Sequence, residues 1–394
     1  MADAKHKPIR SSEDFLVFGA PLIGDEEKRE VLACLDSGWL GTGPKVAEFE
    51  RRFRDYAAGN HAVAVNSCTA ALHLSMLAAG VGPGDEVITT AMTFCSTVNA
   101  IIHTGARPVL ADIDPTSLNI DIAAVEAAIT ERTKAILPVH FAGRPCDMDP
   151  LCAIAQRHGL AMVEDCAHAI ETEYHGRHAG TFGEYGCFSF YVTKNLMTGE
   201  GGMVVSRDEA HANRIKVLAL HGMSKDAWSR FGDDGFRHYQ VVECGYKYNM
   251  MDLQAALGLH QLARIEASWR RREAIWQTYL GELSDLPVML PAPAEPKTRH
   301  AYHLFTIQVE PEHAGITRDE FLLAMQRENV GVGVHYRSIP THPYYRETYG
   351  WRTEDTPHSL RVGESTVSLP LSAKLSDDDV GDVIAAVRKT LRTE

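Results

Sequence analysis

Among the 394 residues there is no run of about 18 apolar residues, so nothing in the chain reads as a membrane-spanning helix. The opening stretch, MADAKHKPIRSSEDF, has no apolar segment that could serve as a secretory signal, and the expected compartment is the cytoplasm. Runs of Lys and Arg are also missing. With 39 Lys+Arg against 52 Asp+Glu the net charge is −13, which argues against a nucleic-acid footprint. An acidic total still leaves room for a locally positive site. The eight cysteines (Cys34, Cys68, Cys95, Cys146, Cys152, Cys166, Cys187 and Cys244) form no C-x-x-C pair. In a chain of this length they read as reduced, mostly buried thiols. No G-x-G-x-x-G follows the first strand-like run, which disfavours a Rossmann dinucleotide site. There is no Walker sequence and no clustered His/Cys spacing, so no metal is expected. Internal repeats and low-complexity segments are absent as well.

What is present is ordinary in bulk: 45% hydrophobic and 23% charged residues, as in a soluble globular protein. The length exceeds one ordinary core, so a large domain plus a smaller one is expected. Acids open an amphipathic helix at 25–36, a breaker-rich loop follows (SGWLGTGP, 37–44), and a second helix runs over 45–57. From 62 to 206 short apolar runs alternate with helical patterns. The runs fall at 62–65, 86–90, 106–112, 134–140, 160–165, 187–191 and 202–206. The helices fall near 69–80, 95–104, 121–131, 148–158 and 208–220. Such alternation predicts a three-layer α/β domain with a mainly parallel sheet covered on both faces. Two helices, 250–266 and 268–283, link it to a smaller α+β unit after the Pro-rich stretch 288–296. That unit has strands at 303–309 and 330–336 and helices at 318–328 and 377–391, with Ser376 as N-cap of the last. The expected division is 1–250, 251–285 and 286–394.

Four segments suggest chemistry. In SFYVTKNLMTGEGG (189–202), Lys194 follows an apolar strand and precedes a glycine-rich turn. Burial lowers a lysine's pKa, which suits an amine that forms a Schiff base with an aldehyde. Taken alone, a lysine before such a turn is usually just solvated. In VEDCAHA (163–169), Asp165 closes an apolar strand, where open α/β sheets bind ligands. A carboxylate there can hold the pyridine nitrogen of pyridoxal phosphate (PLP) protonated, though a helix cap is the commoner role. His168 lies one helical turn further and could stack on the ring, or be a packed core histidine. In VNSCTAAL (65–72), a strand runs into a helix whose free N–H groups could receive phosphate or could be plainly capped. In MTFCST (92–97), Phe94 sits where its face could cover a cofactor ring, although core packing is the usual fate of a Phe. These pieces occur in order, each at an expected strand end, with Lys194 29 residues after Asp165 (194 − 165).

With those residues in view, the chain resembles the DegT-type sugar aminotransferases over nearly its whole length, from Ser37 to about Leu391. The pieces that carry the likeness are SGWLGTGPKVAEFE, GPGDEVIT, MTFCSTVNAI, PVHFAGRPCDMD, VEDCAHAI, FSFYVTKNLMTGEGG and GYKYNMMDLQAALGL. Within the family it looks most like the UDP-4-amino-4-deoxy-L-arabinose synthase branch, through MTFCSTVN, HFAG, EDCAHAI, GYKYN and VHYR. The resemblance implies the PLP-dependent transferase fold (fold-type I, aspartate-aminotransferase-like). It implies PLP as a Schiff base on Lys194, with pyridoxamine phosphate as the intermediate form, and Asp165 on the pyridine nitrogen. Phosphate contacts fall to Cys68, Thr69 and Ser189, and Phe94 and His168 lie near the ring. Asn249 is expected to reach the cofactor of the neighbouring subunit, making a homodimer with shared sites. Cys68 and Cys166 stand where relatives often have Ala or Gly. Implied substrates are L-glutamate as amino donor and a nucleotide-linked 4-keto sugar as acceptor, with a UDP-linked pentose or a dTDP- or UDP-linked 6-deoxyhexose foremost. Pocket walls are expected from 39–44, 221–239 and 335–337, with Trp39, Thr42, Arg230 and His335 as substrate contacts. Rival readings are a sugar dehydratase, whose members replace the active lysine with histidine, a transaminase of cyclic ketones or simple amines, and a non-catalytic binding relative.

Overall fold

The computed structural model describes residues 7–224 and 239–391. Two helices come first, α1 (Asp25–Ser37) and α2 (Pro44–Tyr56). The first carries three acids in its opening turn and ends at Gly38, whose φ of 70° is the left-handed conformation glycine adopts without steric cost. The second starts on Pro44, whose missing N–H would have gone unpaired there anyway.

The alternating region then builds β1 (His61–Val65), α3 (Cys68–Ala78), β2 (Glu86–Thr90), α4 (Cys95–His103), β3 (Arg107–Ala111), α5 (Ile122–Ala127), β4 (Thr133–Leu137), α6 (Met148–His158) and β5 (Ala161–Asp165). A small hairpin follows, β6 (Glu173–Tyr174) and β7 (Arg177–His178), and then β8 (Tyr185–Ser189), β9 (Gly202–Ser206) and α7 (Glu209–Ala219). The seven-stranded sheet has the order β1-β9-β8-β5-β4-β2-β3. Its β8-β5-β4-β2-β3 portion is parallel, and β9 runs antiparallel between β1 and β8. Alternate residues serve two cores. Val63, Val65 and Val204 pack with α3 and α7 on one face. Ala62, Ala64, Met203 and Val205 pack with Phe49 and Phe53 of α2 on the other. That is the expected three-layer arrangement with apolar side chains on both faces.

Beyond the sheet lie α8 (Asp252–Ala263) and the 18-residue α9 (Ile265–Glu282). Ile265 at the start of α9 belongs to the sheet's core, whereas Ile275, Trp276 and Tyr279 belong to a second core. One continuous helix therefore spans both. The second core gathers α10 (Pro311–Ala314), α11 (Arg318–Arg327) and α14 (Asp377–Leu391) around the pair β11 (Phe305–Gln308) and β12 (Thr366–Leu369), while β10 (Thr298–Arg299) pairs with β6, α12 (Pro343–Tyr349) packs through Tyr345 with Val98, and α13 (Pro357–Ser365) packs through Val362 with Met92 and Phe141. Ser376 does cap the last helix, accepting the Asp379 N–H at 3.0 Å. Leu16, from the N-terminal segment, packs in this C-terminal core.

Three local expectations change. The stretch 330–336 is not a strand: Val330 bridges Leu16 and Gly333 bridges Ser368, and the chain then turns away. His335 stays tied to β12 through the Ser368 and Thr366 hydroxyls, and Tyr336 reaches a cavity at the sheet's carboxyl edge. The strand expected at 187–191 ends at Ser189, because Phe190 N–H bonds Gly201 and Phe190 C=O receives Thr198 N–H, closing a loop instead. No helix follows Asp165. The chain folds into turns held by Cys166 N–H to Cys187 C=O and Ala169 N–H to Cys166 C=O.

Candidate active site

Asp165 ends β5 at the carboxyl edge of the sheet, 3% exposed. Its Oδ2 accepts the Thr97 hydroxyl at 2.8 Å and its Oδ1 accepts Ala167 N–H at 3.1 Å. Thr97 in turn lies 2.8 Å from the Thr93 hydroxyl, so the donors run Thr93 to Thr97 to Asp165. Burial pushes this carboxyl's pKa up, and the two donors and Lys194 oppose the rise. Among the described residues no ion pair reaches Asp165. A buried carboxylate held by neutral donors alone is well suited to a ligand that brings a positive charge.

Lys194 sits in the loop between β8 and β9, its N–H bonded to Tyr191 C=O at 2.8 Å. Burial lowers its pKa from 10.5 to about 8, although Cys68 and Asp165 act in the opposite direction. The next residue fixes the loop. Asn195 donates to Glu171 at 2.8 Å and to Ala301 C=O at 3.0 Å, and accepts from His303 Nδ1 at 3.0 Å. Glu171 also pairs with Arg272 of α9, so the lysine loop is tied to the helix that spans both cores.

At the N-terminus of α3, Ser67 is the cap, its hydroxyl accepting Ala70 N–H at 3.1 Å. The N–H groups of Cys68 and Thr69 then open the helix without intrahelical acceptors. Gly202 passes beneath: a Cβ there would lie 2.5 Å from Ser67 C and 2.7 Å from Cys68 N, so only glycine leaves this terminus undisturbed.

A cavity of about 500 Å³ brings Cys68, Thr69, Phe94, Thr97, Asp165, His168, Ser189, Lys194, His335 and Tyr336 together. Phe94, 56% exposed, stands over it. His168 reaches the cavity from a turn, not a helix, and its Nδ1 accepts Ala142 N–H at 3.2 Å. Burial, then Lys194, holds its pKa well below the usual histidine value. His335 bonds the Ser368 hydroxyl at 2.8 Å, and burial brings its pKa down to about 3. These imidazoles stay neutral and add no charge to compete with Lys194.

Three sequence candidates lie elsewhere in the chain. Asn249 donates to the Thr42 hydroxyl at 2.7 Å, that hydroxyl donates to Met250 C=O at 2.5 Å, and Trp39 Nε1 donates to Thr42 C=O at 3.3 Å. They form a patch of their own, with Trp39 51% exposed, and none lines the cavity around Lys194. Arg230, with positions 225–238 of the expected wall 221–239, lies outside the described residues. Conversely, Thr97 and Tyr336 were not singled out. The four-residue spacing of Thr93 and Thr97 at a strand-to-helix junction was the available signal for the first. Tyr336 falls within the expected wall 335–337, but as the last residue of the apparent strand 330–336 it carries no separate signal.

The donor set fits PLP: a free amine beside a cavity, a buried carboxylate in want of a cation, and a glycine-cradled helix terminus for a phosphate. Comparison with known proteins gives the same answer. Residues 21–388 match the DegT/DnrJ/EryC1/StrS aminotransferase family. The chain is 51% identical over 385 residues to the spore coat polysaccharide biosynthesis protein SpsC of Bacillus subtilis (strain 168), covering 98% of this chain and 99% of that one. Among solved structures, Spr1654 of Streptococcus pneumoniae in its PLP-form superposes with a TM-score of 0.88 at 32% identity, covering 96% of this chain and 99% of that one. Helicobacter pylori PseC, an aminotransferase involved in the biosynthesis of pseudoaminic acid, superposes with a TM-score of 0.88 at 28% identity, covering 96% of this chain and 99% of that one. The chain belongs to the DegT/DnrJ/EryC1/StrS aminotransferase family, as a PLP-dependent aminotransferase of fold-type I.

Proposed function

We propose that the protein moves an amino group from L-glutamate to a nucleotide-linked 4-keto sugar, as a homodimer whose sites are shared between subunits. The observation that carries the reading is the cavity itself. Beyond Asp165, Lys194 and the α3 terminus, its walls continue into Tyr191, Thr193, His335 and Tyr336, hydrogen-bonding groups suited to a polyhydroxylated ring. The relatives support it: SpsC is named for spore coat polysaccharide biosynthesis and PseC for the biosynthesis of pseudoaminic acid.

PLP, when bound, supplies an aldehyde that exchanges amine for carbonyl and a ring that withdraws electrons. Lys194 is the residue that would hold it, and its Nζ would take the proton from the donor's α-carbon. Asp165 would keep a positive charge on the ring nitrogen. Cys68, Thr69 and Ser189 would receive the phosphate. Phe94 and His168 would confine the ring, and the neutral imidazoles would leave the proton on Nζ free to move. The patch of Trp39, Thr42 and Asn249 is assigned to the partner subunit's cavity, since it stands apart from the Lys194 cavity of its own chain.

The deciding assay compares turnover, with glutamate, of nucleotide-linked 4-keto sugars, the same sugars without nucleotide, and simple cyclic ketones. Equal reactivity of the free ketones overturns the nucleotide-sugar reading. Sharing of sites is tested by mixing Lys194→Ala and Asn249→Ala chains. Recovered activity in a mixture that exchanges subunits is expected, and none would place Asn249 in cis.

A further inference from the structure

We propose that Tyr336 donates a hydrogen bond from its hydroxyl to an electron-rich oxygen bound beside Lys194, either the phenolic oxygen of PLP or the carbonyl oxygen of the acceptor. The argument begins with His168. A neutral imidazole carries one N–H, and Nδ1 of His168 accepts the backbone N–H of Ala142 at 3.2 Å, so the proton must be on Nε2. That nitrogen lies 3.0 Å from the Tyr336 hydroxyl. His168 is therefore the donor and Tyr336 the acceptor, which leaves the phenol's own proton uncommitted within the described residues. The hydroxyl belongs to the wall of the cavity that holds Lys194 and Asp165.

The ring is fixed on several sides. It lies nearly parallel to His168 (19°, centroids 5.9 Å apart), 5.9 Å from Phe94 and 6.2 Å from Phe141. The titratable groups around it are His168, His335, Asp165 and Cys95. Burial, then Asp165 and Cys95, pushes the phenol's pKa far above its ordinary value, so it keeps its proton through the working range and acts as a donor, never as a base. A donor already placed by a second hydrogen bond needs no reorganisation when charge grows on its acceptor.

The inference rests on the proposed acceptor for one of its two arms only. Tyr336→Phe keeps the ring and removes the hydroxyl, and the thermal midpoint of the apoenzyme checks that packing is intact. The first arm uses cofactor-loaded enzyme without substrate and follows its visible absorbance with pH. A midpoint moved by about one pH unit, with both half-reactions slowed, assigns the oxygen to PLP. The second arm measures each half-reaction. A loss on the order of 10- to 100-fold in kcat/KM for the carbonyl acceptor, with the glutamate half-reaction and the absorbance midpoint unchanged, assigns it to the acceptor. An unshifted midpoint with both half-reactions unchanged, or with both reduced in step with a lowered thermal midpoint, leaves Tyr336 only a packing role and overturns the proposal. If no nucleotide sugar reacts, the reading of the acceptor fails, while the absorbance arm, and the second arm run in reverse with 2-oxoglutarate as carbonyl acceptor, still decide the role of Tyr336.

Discussion

The most direct consequence of the site's electrostatics is how fast Lys194 captures PLP as a function of pH. Only the neutral amine adds to an aldehyde. With its pKa lowered from 10.5 to about 8, roughly one lysine in ten is neutral at pH 7. At the unshifted value it would be about one in 3,000, so burial raises the reactive fraction about 300-fold (10.5 − 8 ≈ 2.5 pH units). Mixing apoenzyme with PLP and following the visible band by stopped flow should show a rate that climbs tenfold per pH unit and levels above about pH 8. A free lysine derivative under the same conditions supplies the cofactor's own pH dependence, and the ratio isolates the protein. Asp165 raises this pKa by its charge, so Asp165→Asn should move the midpoint below that of the parent. A rate that keeps climbing past pH 10, or a midpoint raised in Asp165→Asn, refutes the reasoning.

The same shift affects stability. A lysine whose folded pKa lies below its unfolded value costs stability below pH 8, and the cost fades between pH 8 and 10.5, where the unfolded chain keeps a proton that the folded one has released. Water reaches Lys194 through the cavity, so the full figure of about 3.4 kcal/mol (2.5 × 1.36) is roughly halved. Lys194→Met apoenzyme should then exceed the parent by on the order of 1–2 kcal/mol in urea at pH 7, with the gap closing toward pH 10.5; a gap independent of pH contradicts this. Gly202→Ala forces a methyl against Ser67 and Cys68 backbone and should cost about 1–3 kcal/mol while weakening PLP binding at least tenfold, read by fluorescence titration. Unaltered affinity would show that the α3 terminus is not the phosphate site. Arg272→Leu strands Glu171 inside the protein and should cost about 3–5 kcal/mol, measured by denaturant unfolding of the apoenzyme. A loss under 1 kcal/mol would mean that Asn195 alone satisfies Glu171.

What the sequence determined by itself is the sheet and the points where it delivers chemistry. Apolar runs separated by helical periods placed Asp165 at a strand end, Cys68 and Thr69 at a helix start, and Lys194 in the loop between two strands, because burial and turn geometry are local and leave their pattern in neighbouring residues, whereas Ser189 reads as strand interior until the loop bonds of Phe190 are known. Only the tertiary structure decided what those ends meet. Thr97 donates to Asp165 from 68 positions away, and Tyr336 reaches His168 from 168 positions away. Leu16 fills a core built from the C-terminal third of the chain. The stretch 330–336 alternates like a strand, yet its bonding partners Leu16 and Ser368 are spaced so that only single bridges form. His168 faces the cavity because a turn bonded to Cys187 and Ala142 holds it there, not because of helical spacing. A backbone pattern fixes which side of an element is apolar; which distant side chain fills the facing space is settled when the elements pack against one another.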